Sequence, residues 1–387
     1  MNTDFHYYAT YCAAMLAGYS HAESVTIGYC AELTDNCTKT FLRKLKAPLQ
    51  AATSQLKMEM MDARTDFIGL QDITRTWASF HFLPYDLYAK KPHCSRTYLH
   101  KYRLICGPNS PLLAETVNLA KNKSLQAVGL CMHVVADTWA HRYFVGTPSL
   151  VINNSNDSFV ELLPDGRERP ITFIHSPGKP DDVENALYTA TLFQTNENSV
   201  MNLGHGRAGY VPDYSFIRYR YMPAWADYEE VVKDNPSDFF RAFCQMVYAM
   251  RFFRGEHASF ELDRYDTDAI EPWHDEIMAI LTKRQNEDDA CLDWKAFGER
   301  LSGETIPDFS LETHQREYID AAQGEKNDTF LGRYILAALA QKSMVTNRIY
   351  RSGNPLAGRS VSYEENGLKG LRDYWELVFH AMREDAP

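Results

Sequence analysis

Three residues define the chemistry open to this chain. His133, Asp137 and His141 stand at i, i+4 and i+8 within Gly129-Leu-Cys-Met-His-Val-Val-Ala-Asp-Thr-Trp-Ala-His141. Each four-residue step turns an α-helix by roughly 400°, so the three drift only about 40° per step and share one stripe. Leu125, Val128, Leu130, Met132, Val134, Val135, Trp139 and Ala140 surround that stripe, and a helix apolar on nearly every side is a buried one. A buried carboxylate costs roughly several kcal/mol unless it is paired or metal-bound. Imidazole and carboxylate are ligands that zinc accepts, and a central Asp can bridge two ions. A metal-free, hydrogen-bonded His–Asp pair fits the same pattern, and this stretch alone does not choose between them.

Other candidate ligands are scattered along the chain. His6 and Asp35 belong to two helices joined at Gly18-Tyr19-Ser20. His6 lies twelve residues before Gly18, and Asp35 fourteen after His21. At the α-helical rise these are about 18 and 21 Å from the turn, so antiparallel packing brings them level, with Asp4 close by. His81 sits in the aromatic run Trp77-Ala-Ser-Phe-His-Phe-Leu-Pro84, where a packed core histidine is the plainer alternative. His205 sits in Gly204-His-Gly-Arg-Ala-Gly-Tyr-Val-Pro-Asp213, a loop whose glycines allow close backbone approach. That loop spells G-x-G-x-x-G, but no strand leads in and Pro212 blocks a helix leading out, so a dinucleotide fingerprint is excluded.

The elements that must position these groups are mostly helical. The patterning predicts helices over about 5–17, 20–36, 53–79, 112–143, 239–253, 268–283, 330–343 and 367–383, the first capped by Asp4 and the second by a Ser20/Glu23 capping box. Between Gly146 and Pro212 the character changes. Asn153–Asp157 and Pro177–Pro180 read as loops, and Pro164-Asp165-Gly166 joins strand-like runs 158–163 and 169–175 into a hairpin. The expectation is one helical domain over 1–387, with 147–212 as a loop and β-hairpin insertion or lid. Arg218–Trp225 alternates basic and aromatic residues, which suits either a cleft wall or amphipathic packing.

Composition sets the outer limits. The 387 residues are 45% hydrophobic, and 51 acidic against 40 basic side chains leave a net charge of −11. That balance argues against tracking along duplex nucleic acid, which needs a basic face. No run approaches the roughly 18 apolar residues of a membrane helix, and no basic n-region precedes Cys12–Ala17, so a cytoplasmic setting is expected. The eight cysteines form no C-x-x-C pair and read as buried free thiols.

The order His6, Asp35, His81 in F-H-F, then His133-x3-Asp137-x3-His141 and His205, resembles the zinc-dependent phospholipase C and single-strand-specific nuclease superfamily. The runs D-F-H-Y-Y-A-T-Y, M-H-V-V-A-D-T-W-A-H and G-H-G-R-A-G-Y-x-P-D also resemble a bacterial domain family of unknown function over most of the chain. The superfamily resemblance implies a multi-helix phospholipase C-like bundle and up to three zinc ions, held by Asp4, His6, Asp35, His81, His133, Asp137, His141, His205 and Asp213. In that superfamily a terminal tryptophan supplies an amine and a carbonyl to one ion, a role Asp4 would take here. The Asp137-to-His141 step is two residues shorter than the superfamily spacing, and Gly209 stands where an acidic partner of His205 is usual, leaving Asp213 for that role.

The expected activity is hydrolysis of a phosphate ester, in a small molecule or a phospholipid, by metal-activated water. Asp137 would bridge ions, Asp35 would accept a proton, and Arg142 and Arg207 would hold phosphoryl oxygens. The competing reading is a non-catalytic protein stabilised by zinc. His274-Asp275 reads as a chance exposed pair.

Overall fold

A computed structural model describes residues 1–63, 66–154, 158–174, 179–190 and 206–360. His205, most of the loop 153–157, part of 177–180 and the helix expected at 367–383 lie outside these residues. The chain opens with a π-helical turn, Asp4–Ala9, running into α1, Thr10–Leu16. The helices α2 His21–Asn36, α3 Lys39–Leu45, α4 Lys57–Ala63, α5 Phe67–Phe80, α6 Arg96–Tyr102, α7 Pro111–Ala120, α8 Leu125–Ala140 and α9 Leu150–Asn153 follow. Six short strands come next: β1 Val160–Leu162, β2 Glu168–Pro170, β3 Thr172–Ile174, β4 Leu187–Thr189, β5 Arg218–Tyr221 and β6 Val231–Asp234. The helices α10 Asn235–Phe253, α11 His274–Thr282, α12 Glu287–Ser302, α13 Gln315–Asp320 and α14 Phe330–Arg351 complete the described body. The protein is mainly helical, as its patterning predicts.

Local chemistry explains most boundaries. The capping box of α2 forms as expected, with Ser20 accepting from the Glu23 amide while Glu23 accepts from the Ser20 amide. Asp4 does not cap the first helix: the cap position is Thr3, without a side-chain bond, and Asp4 lies one residue inside. The stretch expected as one helix over 53–79 is two, and Asp66 caps the second through the Gly69 amide. The 112–143 stretch also divides, at 121–124 between α7 and α8.

α8 is the axis of the body. From Gln126 to Ala140 every residue is buried, and α2, α7, α10 and α14 surround it. Two glycines set the spacing on the functional side. A Cβ on Gly129 would stand 2.4 Å from the Ile27 carbonyl oxygen of α2, and one on Gly28 would stand 2.7 Å from the Tyr7 carbonyl oxygen of the opening turn. Hydrogen at both positions lets three backbones approach closely enough for short ligand side chains to meet between them.

The sheet is larger than the expected hairpin. The β1–β2 hairpin forms around Pro164–Gly166, with Val160 opposite Pro170, but β5 and β6 extend it to an antiparallel sheet in the order β2-β1-β5-β6. β3 and β4 form a separate parallel pair. The insertion therefore continues past Pro212 to Asp234. Tyr219 and Tyr221 are buried against Phe159, whereas Arg218 pairs with Asp234 and Arg220 with Glu168 and Glu230. The 218–221 run is thus an amphipathic strand. Buried Glu161 ties the sheet to the helical body by pairing with both Arg169 and Arg284.

Gly129→Ala is expected to lower unfolding free energy by about 1–3 kcal/mol through overpacking against α2. Gly324→Ala, where a Cβ meets nothing within 4 Å, should be near neutral; urea denaturation of both variants checks the contrast.

Lys342 of α14 is buried and bonds to Thr76 Oγ1 at 3.2 Å. Burial pushes its ammonium down to about 8, against the attraction of Asp72. Between about pH 8 and the ordinary lysine range the unfolded chain holds the extra proton, so this group's contribution to stability rises with pH. Lys342→Met should therefore be more stable than the native chain at pH 7, by on the order of 2 kcal/mol. That advantage should shrink as the pH rises from 8 to 10, measured by denaturant titration at each pH.

Candidate metal centre

The opening turn brings His6, the C-terminal end of α2 brings Asp35, the C-cap of α5 brings His81, and α8 with its C-cap brings His133, Asp137 and His141. The level pairing expected across the first hairpin is present: His6 Nε2 lies 3.7 Å from Asp35 Oδ2. The α8 stripe also holds, although His141 has already left helical geometry as the C-cap. Asp35, His81 and His133 form one group whose ligand atoms lie within 4.8 Å of one another, and His6, His133 and Asp137 form a second. Zinc or another divalent cation could sit in either group.

Three histidines are oriented the same way. His133 Nδ1 donates to the Ala31 carbonyl at 2.9 Å, His81 Nε2 to the Thr53 carbonyl at 2.9 Å, and His141 Nδ1 to the His81 carbonyl at 2.7 Å. A carbonyl only accepts, so each contact places the ring hydrogen on the outer nitrogen and turns the other nitrogen inward. His81 Nδ1 and His133 Nε2 then face each other at 3.2 Å. Asp137 Oδ2 lies 3.2 Å from the first and 3.1 Å from the second, and Asp35 Oδ1 lies 3.5 Å from His81 Nδ1. Lone pairs and carboxylates at this separation require positive charge among them, either a proton or a metal ion.

His6 completes the convergence. Its ring stacks on His133 with centroids 3.8 Å apart. Nε2 lies 3.1 Å from Asp137 Oδ1, yet neither ring nitrogen has a hydrogen bond of acceptable geometry. Neutral imidazole is the form that ligates metal. Burial, then the neighbouring His133 and the Met1 ammonium, push its pKa down to about 3.

The amino group of Met1 enters the same site. It donates to Asp137 Oδ1 at 2.9 Å and lies 3.1 Å from Asp213 Oδ1 and 3.4 Å from His141 Nε2. Burial lowers its affinity for a proton, but Asp137, Asp213 and Asp35 outweigh burial and raise it to about 11. Burial alone would raise the Asp137 pKa; His141, the Met1 ammonium, His133 and His6 instead hold it well below the carboxylate range. For His81, burial pulls down while Asp137 and Asp35 pull up, and the net result is a raised value.

The remaining expected residues divide. Asp213 Oδ1 meets His141 Nε2 at 3.1 Å, although it comes from a short 3-10 turn between β4 and β5. Asp4 is buried but stands outside both metal-ligand groups, and burial beside Glu287 raises it to about 7. The amine of Met1, rather than Asp4, contacts Asp137. Arg142 is part-exposed, lies 3.9 Å from Asp238 and stacks on Tyr143. Arg207 is 1% exposed. A cavity of about 880 Å³ lined by Lys91, His93, Tyr98, Met222, Ala224 and Tyr228 contains none of the candidate ligands. His274 and Asp275 form an exposed pair at the start of α11. The carbonyl anchors Thr53, Ala31 and His81 were not foreseeable, because every residue carries a carbonyl.

These features define a mainly helical protein with a small β-containing segment and a buried histidine–aspartate centre able to ligate metal. The chain belongs to a family of unknown function, DUF6765, whose family model spans residues 1–349. No curated protein and no solved structure matches it.

In metal-free protein, Asp137→Asn removes the counter-charge of a buried cationic group and should cost about 3–5 kcal/mol at pH 7. Because the folded-state pKa of Asp137 is depressed, its contribution is present above the unfolded carboxylate range and lost as pH falls through the folded value. The difference between native chain and variant should narrow below about pH 4, as read by chemical denaturation with chelator present.

Proposed function

We propose that the protein is a zinc-dependent hydrolase acting on a phosphate ester. The observation that carries this reading is the inward-facing pair His81 Nδ1 and His133 Nε2, 3.2 Å apart, with Asp137 and Asp35 beside them. Each ring is already anchored on its outer nitrogen, so the free lone pairs are preset for a cation. Asp35, His81, His133 and Asp137 would hold one ion, and His6 with Asp137 a second. His141 and Asp213, in contact with each other, would supply donors for a third. This count exceeds the four protein ligands of a closed structural zinc site. It therefore favours catalysis over a purely stabilising role. The order of ligands along the chain, similar to that of the phospholipase C and nuclease superfamily, supports the same choice.

Bound zinc supplies acidity to a water molecule and charge to the phosphoryl oxygens. The residues of the chain do the rest. The side chain of Asp35 is 35% exposed, whereas those of His6, His81, His133, Asp137, His141 and Asp213 are 4% exposed or less. Asp35 therefore marks the solvent edge, where a carboxylate can accept the proton of the attacking water. Asp137 stays ionised and holds the histidines in place. Phe82 stacked on His141 at 4.7 Å and Trp77 beside His81 at 4.8 Å keep water from the inner rings.

Elemental analysis of protein purified without chelator should find two or three zinc equivalents per chain, falling below one in His133→Ala and Asp137→Ala. Hydrolysis of bis(p-nitrophenyl) phosphate should be abolished by chelation, restored by zinc, and reduced at least a hundredfold in kcat by Asp35→Asn with zinc content retained. Absence of zinc from the native protein, with the variants only less stable, would leave a buried polar network neutralised by the Met1 ammonium.

A further inference from the structure

A cavity of about 410 Å³ opens between α7, α8 and α14, and no candidate metal ligand lines it. Sites for small molecules span roughly 300–1,000 Å³, with apolar walls and a few placed polar groups. The walls here are Leu119 of α7, Ala127 and Leu130 of α8, and Leu336 and Ala337 of α14. They offer an occupant apolar contact and no hydrogen bond.

The deepest lining groups are polar. Thr116 and Gln341 are each 2% exposed. Gln341 Nε2 donates to the Ser79 carbonyl at 3.1 Å and to Thr116 Oγ1 at 3.0 Å. A carbonyl only accepts, so these contacts fix which end of the amide is nitrogen. The other end, Oε1, accepts from no group among the described residues. A buried acceptor left unpaired is costly, and a donor held in the cavity would satisfy it.

The opposite end presents donors and positive charge. Ser124 is the N-cap of α8, a helix of 16 residues, with extended backbone at φ −69° and ψ 162°. Ser110 has nearly the same conformation before α7, and its side chain accepts from the Leu113 amide. Ser124 makes no such bond to its own helix. The opening amides of α8 therefore lack the side-chain acceptor that α7 has, and an anion in the cavity can take its place. Lys123, Asp328 and Arg333 also line the cavity and are exposed, so they stand at its mouth. Arg333 forms no ion pair among the described residues. Two cations against one anion match a single negative charge, whereas a phosphate monoester carries nearly two.

We propose that this cavity binds a small amphipathic carboxylate that carries a hydrogen-bond donor at its far end. The carboxylate meets the α8 N-terminus and Arg333, the apolar body lies among Leu119, Leu130 and Leu336, and the donor reaches Gln341 Oε1. The site is separate from the metal centre and does not depend on the hydrolase reading.

The test is isothermal titration of the full chain with p-hydroxyphenylpropionate, which has a carboxylate, an apolar body and a terminal hydroxyl. The expected result is saturable binding of one equivalent. Affinity should fall about tenfold for phenylpropionate, which lacks the donor, for the methyl ester, which lacks the charge, and for Arg333→Gln. Ala337→Leu, which fills the cavity from a helical position, should abolish binding. Unchanged thermal midpoints in both variants show that they still fold. Absence of saturable binding in the millimolar range, or binding that neither substitution weakens, overturns the proposal. Equal affinity for the methyl ester overturns it too, because the charged mouth would then play no part. Binding should persist with chelator present, so its outcome is read independently of zinc and of hydrolysis.

Discussion

The constraint on which this structure turns is the burial of Asp137. Its carboxylate lies in the last turn of a helix buried from Gln126 onward, 1% exposed, where an isolated charge would cost far more than the fold's net stability. The surrounding elements answer that charge. The opening turn brings His6 and the Met1 amine, α5 ends in His81, and α8 itself contributes His133 and His141. Each histidine on the inner wall is fixed by a main-chain carbonyl from a different part of the chain. The site and the helix packing are therefore one arrangement, and neither can shift without the other.

Close approach makes this arrangement possible. Asp and His side chains reach only a few ångströms beyond their backbones, so ligands from four segments can meet only if those segments nearly touch. Gly28 and Gly129 provide that contact on opposite faces of α2. The π-helical geometry of Asp4–Ala9 belongs to the same problem: an extra residue per turn changes which side chain faces α2, and His6 is the one that arrives beside Asp35 and Asp137.

The sequence reveals the parts of this design that depend on period and order. The stripe of His133, Asp137 and His141 follows from helical spacing, and the pairing of His6 with Asp35 follows from equal distances to the turn. The Ser20 capping box and the β1–β2 turn follow from local bonding, which short segments carry in themselves. What escaped is non-local. The joining of Arg218–Tyr221 and Val231–Asp234 to the first hairpin depends on strands distant in sequence, and the buried aromatics of that strand look the same on paper as a cleft wall. The Met1 amine, rather than Asp4, contacts Asp137, a placement the residue pattern does not show. The carbonyl anchors leave no trace in residue type at all.

A second ring of carboxylates clarifies how charge is distributed around the centre. Glu32 and Asp4 are buried near Glu287, and Thr3 reaches both Glu32 and Glu287 through hydrogen bonds. Burial raises Asp4 to about 7 and Glu32 well above the carboxylate range, with Asp35 and Glu287 adding to the rise at Glu32. Near neutral pH Asp4 is therefore partly protonated, and the same burial disfavours the charged form of Glu32. Were all of them ionised, their charge would draw cations away from the inner rings. Burial that disfavours charge on the outer carboxylates leaves the ionised carboxylate of Asp137 where the histidines converge. The same burial that makes Asp137 costly thus suppresses its competitors, and the difference between them is made by cationic partners that reach Asp137 and not Glu32.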